Sequence, residues 1–388
     1  MLNREVVPAD RYQQKLARRF SSVWLIGPPM GDELQELICH LFTPEEARAV
    51  LGLPSYLPRK LPYVASKAGL KPEEALPLLE GLAQKRLIYG GASGYSMLPL
   101  IPGVFEYFLM NGKETPLHKG FGDKITALFG SGYVKDFLGW VKAPSIRNIP
   151  IQEHVENEQT VADADLVEKL LAAHETFAVL NVCQCRQSVA FAGGTCKRAK
   201  IEDGCLLFGA FAEGVVPQGT GYHVSREEMR AIIRERWERN LVLLTANVSH
   251  ESPNAICTCC DCCCHGLETI NHFGGMALMA QPRFKVVVDA TACTDCGRCL
   301  RPCNTKAHAI VKKEHHYDPT RCIGCAACLS SCPEGALSLE PNPLYNPPSD
   351  SFTRLFLRIA PKALAFMARA SLVRLKGRMN GAGKKETA

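Results

Sequence analysis

Apolar positions in the first third of the chain recur at helical spacing. Leu34, Leu37, Ile38 and Leu41 mark one face of a helix predicted from Asp32 to Phe42. Thr43-Pro44-Glu45-Glu46 opens the next, with Thr43 as cap, Pro44 at the first position and Glu46 at the third. Leu61 to Gly69 reads as a short helix ended by glycine, and Lys71-Pro72-Glu73-Glu74 opens another that runs to Arg86. The period then shortens. Leu87-Ile88-Tyr89, a Gly-Gly-Ala-Ser-Gly turn and Tyr95-Ser96-Met97-Leu98 predict a hairpin. Further on, Phe177 to Val182 and Leu241 to Thr245 are apolar runs of strand character. Between them Ser225-Arg226-Glu227-Glu228 is a capping box for a helix reaching about Asn240. From Ser351 to Arg378 the pattern is a basic amphipathic helix. Arg354, Arg358, Lys362, Arg369 and Lys376 project to one side; Phe352, Leu355, Phe356, Ile359, Phe366, Met367, Ala370 and Val373 project to the other.

These elements predict an α+β multi-domain protein. Residues 1–31 read as a charged lead-in, 32–110 as helices with a hairpin, 111–170 as a connecting segment and 171–275 as a cysteine-rich α+β domain. Residues 283–340 form a second cysteine module, and 341–388 a Pro/Asn linker followed by the basic helix. Short helices followed by a two-stranded wing resemble a winged-helix domain. That resemblance implies DNA binding, but the helix that would enter the groove carries Glu73, Glu74 and Glu80 against Lys85 and Arg86. Its leading end is acidic where phosphate contact needs Lys and Arg, which favours a scaffold or docking role over nucleic acid. The basic helix suits packing on its own protein, peripheral contact with an anionic membrane, or an acidic partner.

Composition adds limits. The 388 residues are 46% hydrophobic and 22% charged, with a net charge of +6, which fits a folded protein of several domains and makes no case for nucleic-acid binding without a concentrated basic patch. Arg18-Arg19-Phe20 faintly echoes an export signal, but the apolar stretch after it, Val23 to Ile26, is stopped by Pro28-Pro29. The nineteen cysteines are clustered rather than dispersed, which points to metal thiolates in a reducing compartment and a cytoplasmic location.

Eight cysteines form two copies of one spacing. Cys293, Cys296, Cys299 and Cys303 read C-x-x-C-x-x-C-x-x-x-C; Cys322, Cys325, Cys328 and Cys332 repeat it, with Pro333 after the last. Such a run curls three thiolates around one iron–sulfur cube and sends the fourth to a second cube, whereas zinc sites use pairs of C-x-x-C. Gly297 and Gly324 sit inside the C-x-x-C loops, where amides must turn toward sulfur. Lys285 to Asp289 and Ala336 to Leu339 read as short flanking strands. About 58 residues, 283–340, resemble bacterial-type ferredoxins with two [4Fe-4S] clusters. The resemblance implies Cys293, Cys296, Cys299 and Cys332 for one cube and Cys322, Cys325, Cys328 and Cys303 for the other. Asn304 departs from the family's proline after the fourth cysteine, and is expected to open the loop near that cube.

Of the remaining cysteines, Cys39 lies on an apolar helix face and reads as a core thiol. Cys183, Cys185, Cys196 and Cys205, then Cys257, Cys259, Cys260, Cys262, Cys263 and Cys264, are too concentrated to serve packing, and metal ligation explains them. If residues 257–264 are extended, Cys257, Cys259 and Cys263 face one side and Cys260, Cys262 and Cys264 the other. The four upstream cysteines then complete one or two additional iron–sulfur clusters. His265 is a further ligand candidate or a donor to sulfur, and Arg186, Lys197 and Arg198 would offset thiolate charge and raise the reduction potential.

Residues 32–340 are also similar to multi-domain iron–sulfur proteins of anaerobic metabolism, which carry a winged-helix-like start, a C-x-C-R motif (here Cys183 to Arg186), a C-x-C-C-x-C-C-C stretch and a terminal ferredoxin. Three functions fit. One is single-electron relay to a redox partner protein or a larger oxidoreductase complex. The second is a metal-cluster enzyme with its active site in residues 183–265. The third is a redox-sensing DNA-binding regulator. No Gly-x-Gly-x-x-Gly follows a strand, so no nucleotide fold is visible and any catalysis would use the metal itself.

Overall fold

The computed structural model describes residues 9–22, 25, 27–132, 134–135, 142–150, 167–249 and 255–382; side chains at 102, 367 and 370–382 are outside the described set. Most of the Val23 to Ile26 stretch, the middle of the connecting segment, and the Met367, Ala370, Val373 and Lys376 faces of the basic helix therefore lie outside the described residues. The chain divides into two compact units, residues 1–134 with 363–388, and residues 135–362.

The first unit is helical with one hairpin. Helices α1 (Arg11–Phe20), α2 (Asp32–Leu41), α3 (Pro44–Leu51), α4 (Leu61–Ala68) and α5 (Pro72–Gln84) precede strands β1 (Tyr89–Gly91) and β2 (Gly94–Ser96). Helices α6 (Phe105–Leu109) and α7 (Pro116–Gly130) follow. Residues 11–20, within the segment read as a lead-in, are a capped helix that buries Leu16, Ala17 and Phe20. Tyr12, Leu16 and Phe20 recur every fourth residue, a helical period inside the stretch read as a lead-in. Arg19, half of the supposed export motif, donates instead to the carbonyls of Leu51 and Leu53. Thr43 and Glu46 close the predicted capping box, and Gly69 takes the left-handed conformation that ends α4. The hairpin turn is tighter than expected, because Gly91 pairs with Gly94 and only Ala92 and Ser93 remain in the loop. Glu73 and Glu74 occupy the exposed first turn of α5.

The second unit is built on a six-stranded antiparallel sheet, ordered β3-β7-β8-β5-β4-β6. Its strands are β3 (Ile146–Ile149), β4 (Phe177–Leu180), β5 (Leu206–Phe208), β6 (Gly221–Val224), β7 (Val242–Ala246) and β8 (Ala255–Cys259). Helices α8 (Val167–Ala173), α9 (Gln184–Phe191), α10 (Ala210–Val215), α11 (Arg226–Glu238) and α12 (His265–His272) are interspersed. The two faces differ because successive side chains alternate. On one face Phe177, Val179, Leu206, Phe208, Leu243 and Ile256 pack with Leu170, Leu171, Met229 and Ile233 from α8 and α11. On the other, Val242, Leu244, Cys257 and Cys259 pack with Cys264, Leu267 and Ile270.

A smaller two-stranded sheet pairs β9 (Phe284–Val288) with β12 (Leu337–Pro341), Val288 opposite Leu337. Strands β10 (His308–Val311) and β11 (Glu314–Tyr317) form a hairpin between the two cysteine runs. Helix α13 spans Phe352–Ala382. It buries Leu355 and Phe366 but leaves Phe352 and Phe356 exposed, so the predicted apolar side is only partly covered. Among the described residues no helix is long and apolar enough to cross a membrane.

Ser225 and Glu228 form the predicted box at the start of α11, with Oγ accepting from the Glu228 amide at 3.1 Å. Replacing Ser225 with Ala removes one of these bonds and costs about 1 kcal/mol. Amide exchange in the first turn of α11 is expected to accelerate about fivefold, measured by hydrogen–deuterium exchange, with the sheet amides unchanged.

Candidate metal centres

The ten cysteines of residues 183–264 gather by two routes. The first is the sheet. Leu206 pairs with Ile256, so one residue back Cys205 meets Cys257 across β5 and β8, and their Sγ atoms are 3.4 Å apart. Cys259, two residues on, shares that face. The second route is helix ends. Cys183 is the N-cap of α9 with Cys185 in its first turn, and Cys264 is the N-cap of α12. Cys264 Sγ lies 3.0 Å from Cys259 Sγ. Two helix N-termini therefore bring their positive ends to the same thiols, which favours thiolate. Cys183, Cys185, Cys205, Cys257, Cys259 and Cys264 make one set. The side chains of Cys205 and Cys259 donate to Cys257 and hold its pKa well below the usual thiol range; Cys185 and Cys259 do the same for Cys264. Burial pushes the Cys183 thiol up to about 11.

Cys196, Cys260, Cys262 and Cys263 make the other set, with all four Sγ atoms within 4.8 Å of one another. This corrects the expected division of residues 257–264. The strand stops at Cys259, residues 261–263 turn, and the Cys264 amide donates to the Cys260 carbonyl at 3.2 Å. The turn returns Cys264 to the side of Cys259 and leaves Cys263 with Cys260 and Cys262. Extended alternation does not survive a turn.

Arg186, the last residue of the C-x-C-R motif, is buried between the sets. Its guanidinium donates to the carbonyls of Asp203 (2.8 Å) and Thr258 (2.6 Å). Its charge is held on by neighbouring Cys183, Cys260 and Cys196 despite burial. The Cys260 pKa is pulled down to about 5, first by Cys263 donating to it and also by Arg186. Arg198 pairs with Asp261 at 2.7 Å, and His265 Nδ1 lies 2.7 Å from Glu268 Oε2. Cys39 is half-buried and 3.5 Å from Gln35 Nε2, apart from all other cysteines in sequence and contacts.

In the 283–340 module, Cys293, Cys296, Cys299 and Cys332 line one cavity. Cys303, Cys322 and Cys328 pack in the core beside it, and Cys325 packs at the edge of the cluster that contains Cys259 and Cys264. Gly297 and Gly324 are left-handed, and the Gly324 amide donates to Cys322 Sγ at 3.4 Å. The Ala307 amide donates to Cys303 Sγ at 3.1 Å. Burial pushes Cys299 up to about 11 and Cys325 to about 12, so neither ionises near neutrality without a cation or metal. Cys296 is the exposed member of the eight.

Three features were not anticipated from sequence. His315, on β11, sets Nε2 3.4 Å from Cys299 Sγ and 2.9 Å from His308 Nδ1. The alternation of His308 to Tyr317 around Lys312 and Lys313, both at positive φ, was its only local signal. Asn304 does not open its loop; it is buried and clamped. Its Nδ2 donates to the Asn240 carbonyl (2.8 Å), and its Oδ1 accepts from the Asp261 amide (3.0 Å), between Cys260 and Cys262. Asn271 Nδ2 donates to the Asn304 carbonyl (3.0 Å), and Arg321 holds both Asn271 and Thr305. Proline at 304 would lack the side-chain donor and acceptor that this joint uses.

Residues 285–336 match the family model of the 4Fe-4S dicluster domain. With the cysteine groups, that makes the chain an iron–sulfur, metal-binding protein of mixed helix and sheet. No curated protein and no solved structure matches the chain.

Asn304→Ala leaves the Asp261 amide and the Asn240 carbonyl without these partners, at about 1–3 kcal/mol. Amide exchange at Asp261 is expected to rise roughly tenfold or more by hydrogen–deuterium exchange, with β9 and β12 unaffected.

Proposed function

We propose that this chain is an electron-transfer protein. Single electrons enter at the cube of Cys293, Cys296, Cys299 and Cys332, pass to the cube of Cys322, Cys325, Cys328 and Cys303, and continue to metal held by the cysteines of residues 183–264. The observation that carries this reading is the joint at Asn304. One residue separates Cys303 from a hydrogen bond to Asp261, itself flanked by Cys260 and Cys262. Cys325 packs against the same apolar cluster as Cys257, which supports a second route between the same regions. Exposed Cys296 marks the solvent-facing end, where a redox partner would dock. Six thiols in the larger downstream set leave no evident shortage of ligands, which favours relay over catalysis at an open iron. The acidic first turn of α5 speaks against DNA regulation.

The test uses anaerobically isolated full-length protein mixed with less than one equivalent of a one-electron reductant. Rapid-freeze paramagnetic resonance is expected to record reduced ferredoxin signals first, then their decay as a distinct signal from the 183–264 region grows. A downstream centre that stays unchanged while both ferredoxin clusters cycle overturns the relay. A dark complex with cyanide or carbon monoxide, formed on the downstream centre, would instead favour the enzyme reading.

A further inference from the structure

The two downstream cysteine sets differ in geometry, and the difference bears on what each binds. In a tetrahedral thiolate site a metal–sulfur bond of about 2.3 Å fixes sulfur–sulfur edges of about 3.8 Å, because all four sulfurs share one ion. In a cubane each terminal thiolate sits on its own iron, so the sulfurs stand much farther apart. The ferredoxin module provides the comparison within the same chain: among the described residues, no three of its eight thiols lie mutually within 4.8 Å. No three of the Cys183, Cys185, Cys205, Cys257, Cys259 and Cys264 set do so either; their close contacts are pairwise. The Cys196 set is different. Cys196 Sγ is 3.6 Å from Cys260 and 3.7 Å from Cys262, Cys260 is 3.6 Å from Cys262, and Cys262 is 3.4 Å from Cys263.

We propose that Cys196, Cys260, Cys262 and Cys263 bind a single tetrahedral metal ion, Zn²⁺ or Fe²⁺, rather than an iron–sulfur cluster. This deepens the relay reading and rests on it only in taking the region as metal-bound. The surroundings suit such a site. Four thiolates around a divalent ion leave a double negative charge. Buried Arg186 stands against Cys260, and the Lys197 amide donates to Cys262 Sγ at 3.4 Å, as amides around thiolate sites do. Residues 260–263 supply three ligands from four consecutive residues, too compact a span to reach three corners of a cube. Cys196 closes the site from the loop after α9. The Arg198–Asp261 pair and the Asn304 bond hold that turn from outside. A zinc ion would make it a structural clasp between the ferredoxin and the sheet; iron would make it a one-electron stepping point.

The experiment compares anaerobically isolated full-length protein with the Cys196→Ser/Cys262→Ser double variant, measuring metal by mass spectrometry and acid-labile sulfide chemically. The variant is expected to lose one zinc or one iron per chain and no sulfide. Loss of about four iron together with about four sulfide overturns the proposal, as does unchanged metal. If the double variant does not fold, X-ray absorption at the zinc edge or Mössbauer spectroscopy of the unaltered protein decides. Four sulfurs at about 2.3 Å without a metal neighbour, or a separate tetrahedral iron–tetrathiolate component, supports the site. Absence of both overturns it. The ferredoxin's own sulfide, about eight per chain in the unaltered protein, tests the relay reading separately, because the present proposal is read only from the difference between the two proteins.

Discussion

A thiolate buried in a protein interior is costly unless a metal or a cation answers its charge, and the 135–362 unit gathers many of them. Much of its architecture serves that constraint. The sheet sends its hydrocarbon to one face, against α8 and α11, and its sulfur to the other. Helices α9 and α12 start at cysteines, so their unpaired amides and dipoles meet the thiols. Arg186 carries a fixed positive charge into the space between the two sets and is held there by backbone carbonyls, not by a carboxylate that would cancel it. Asp203 answers Arg236 and Arg239 instead.

The ferredoxin module joins this sulfur-rich face through polar contacts. Asn304 and Asn271 span the joint by hydrogen bonds to backbone and Arg321 by one to the Asn271 side chain, while Ile323 and Cys325 supply the apolar part. Backbone-directed bonds fix distance and register together, which a purely hydrophobic contact does not. Electron exchange depends steeply on separation, so a joint with fixed register would suit the electron-transfer role proposed above.

How far the sequence could be read depended on how local each signal was. The capping boxes at Thr43 and Ser225, the glycine end of α4 and the strand pair flanking the ferredoxin rest on residues a few positions apart, and the structure has them. The concentration of the ten extra cysteines was visible, but their division was not. Strand alternation was extended through Cys260 to Cys264, where the chain turns and no Gly or Pro announces it. Helix α1 carries a local signal too, Tyr12, Leu16 and Phe20 at every fourth position, within the stretch read as a lead-in. The part played by Asn304 was out of reach, because its partners lie at 240, 261 and 271 and only the fold brings them near. A missing proline was readable as a departure; what asparagine does there was not.

The cysteines of the two modules also differ in how much chain they enclose. The ferredoxin draws its eight cysteines from residues 293–332, two local runs with short closure between them. The downstream sets span 183–264 and need β5 and β8 already paired before Cys205 and Cys257 meet. Closing longer segments costs more chain entropy and slows the search. Each run of the 4Fe-4S dicluster domain is therefore nearly local in sequence, while the cysteine-rich face is assembled only once the sheet has formed.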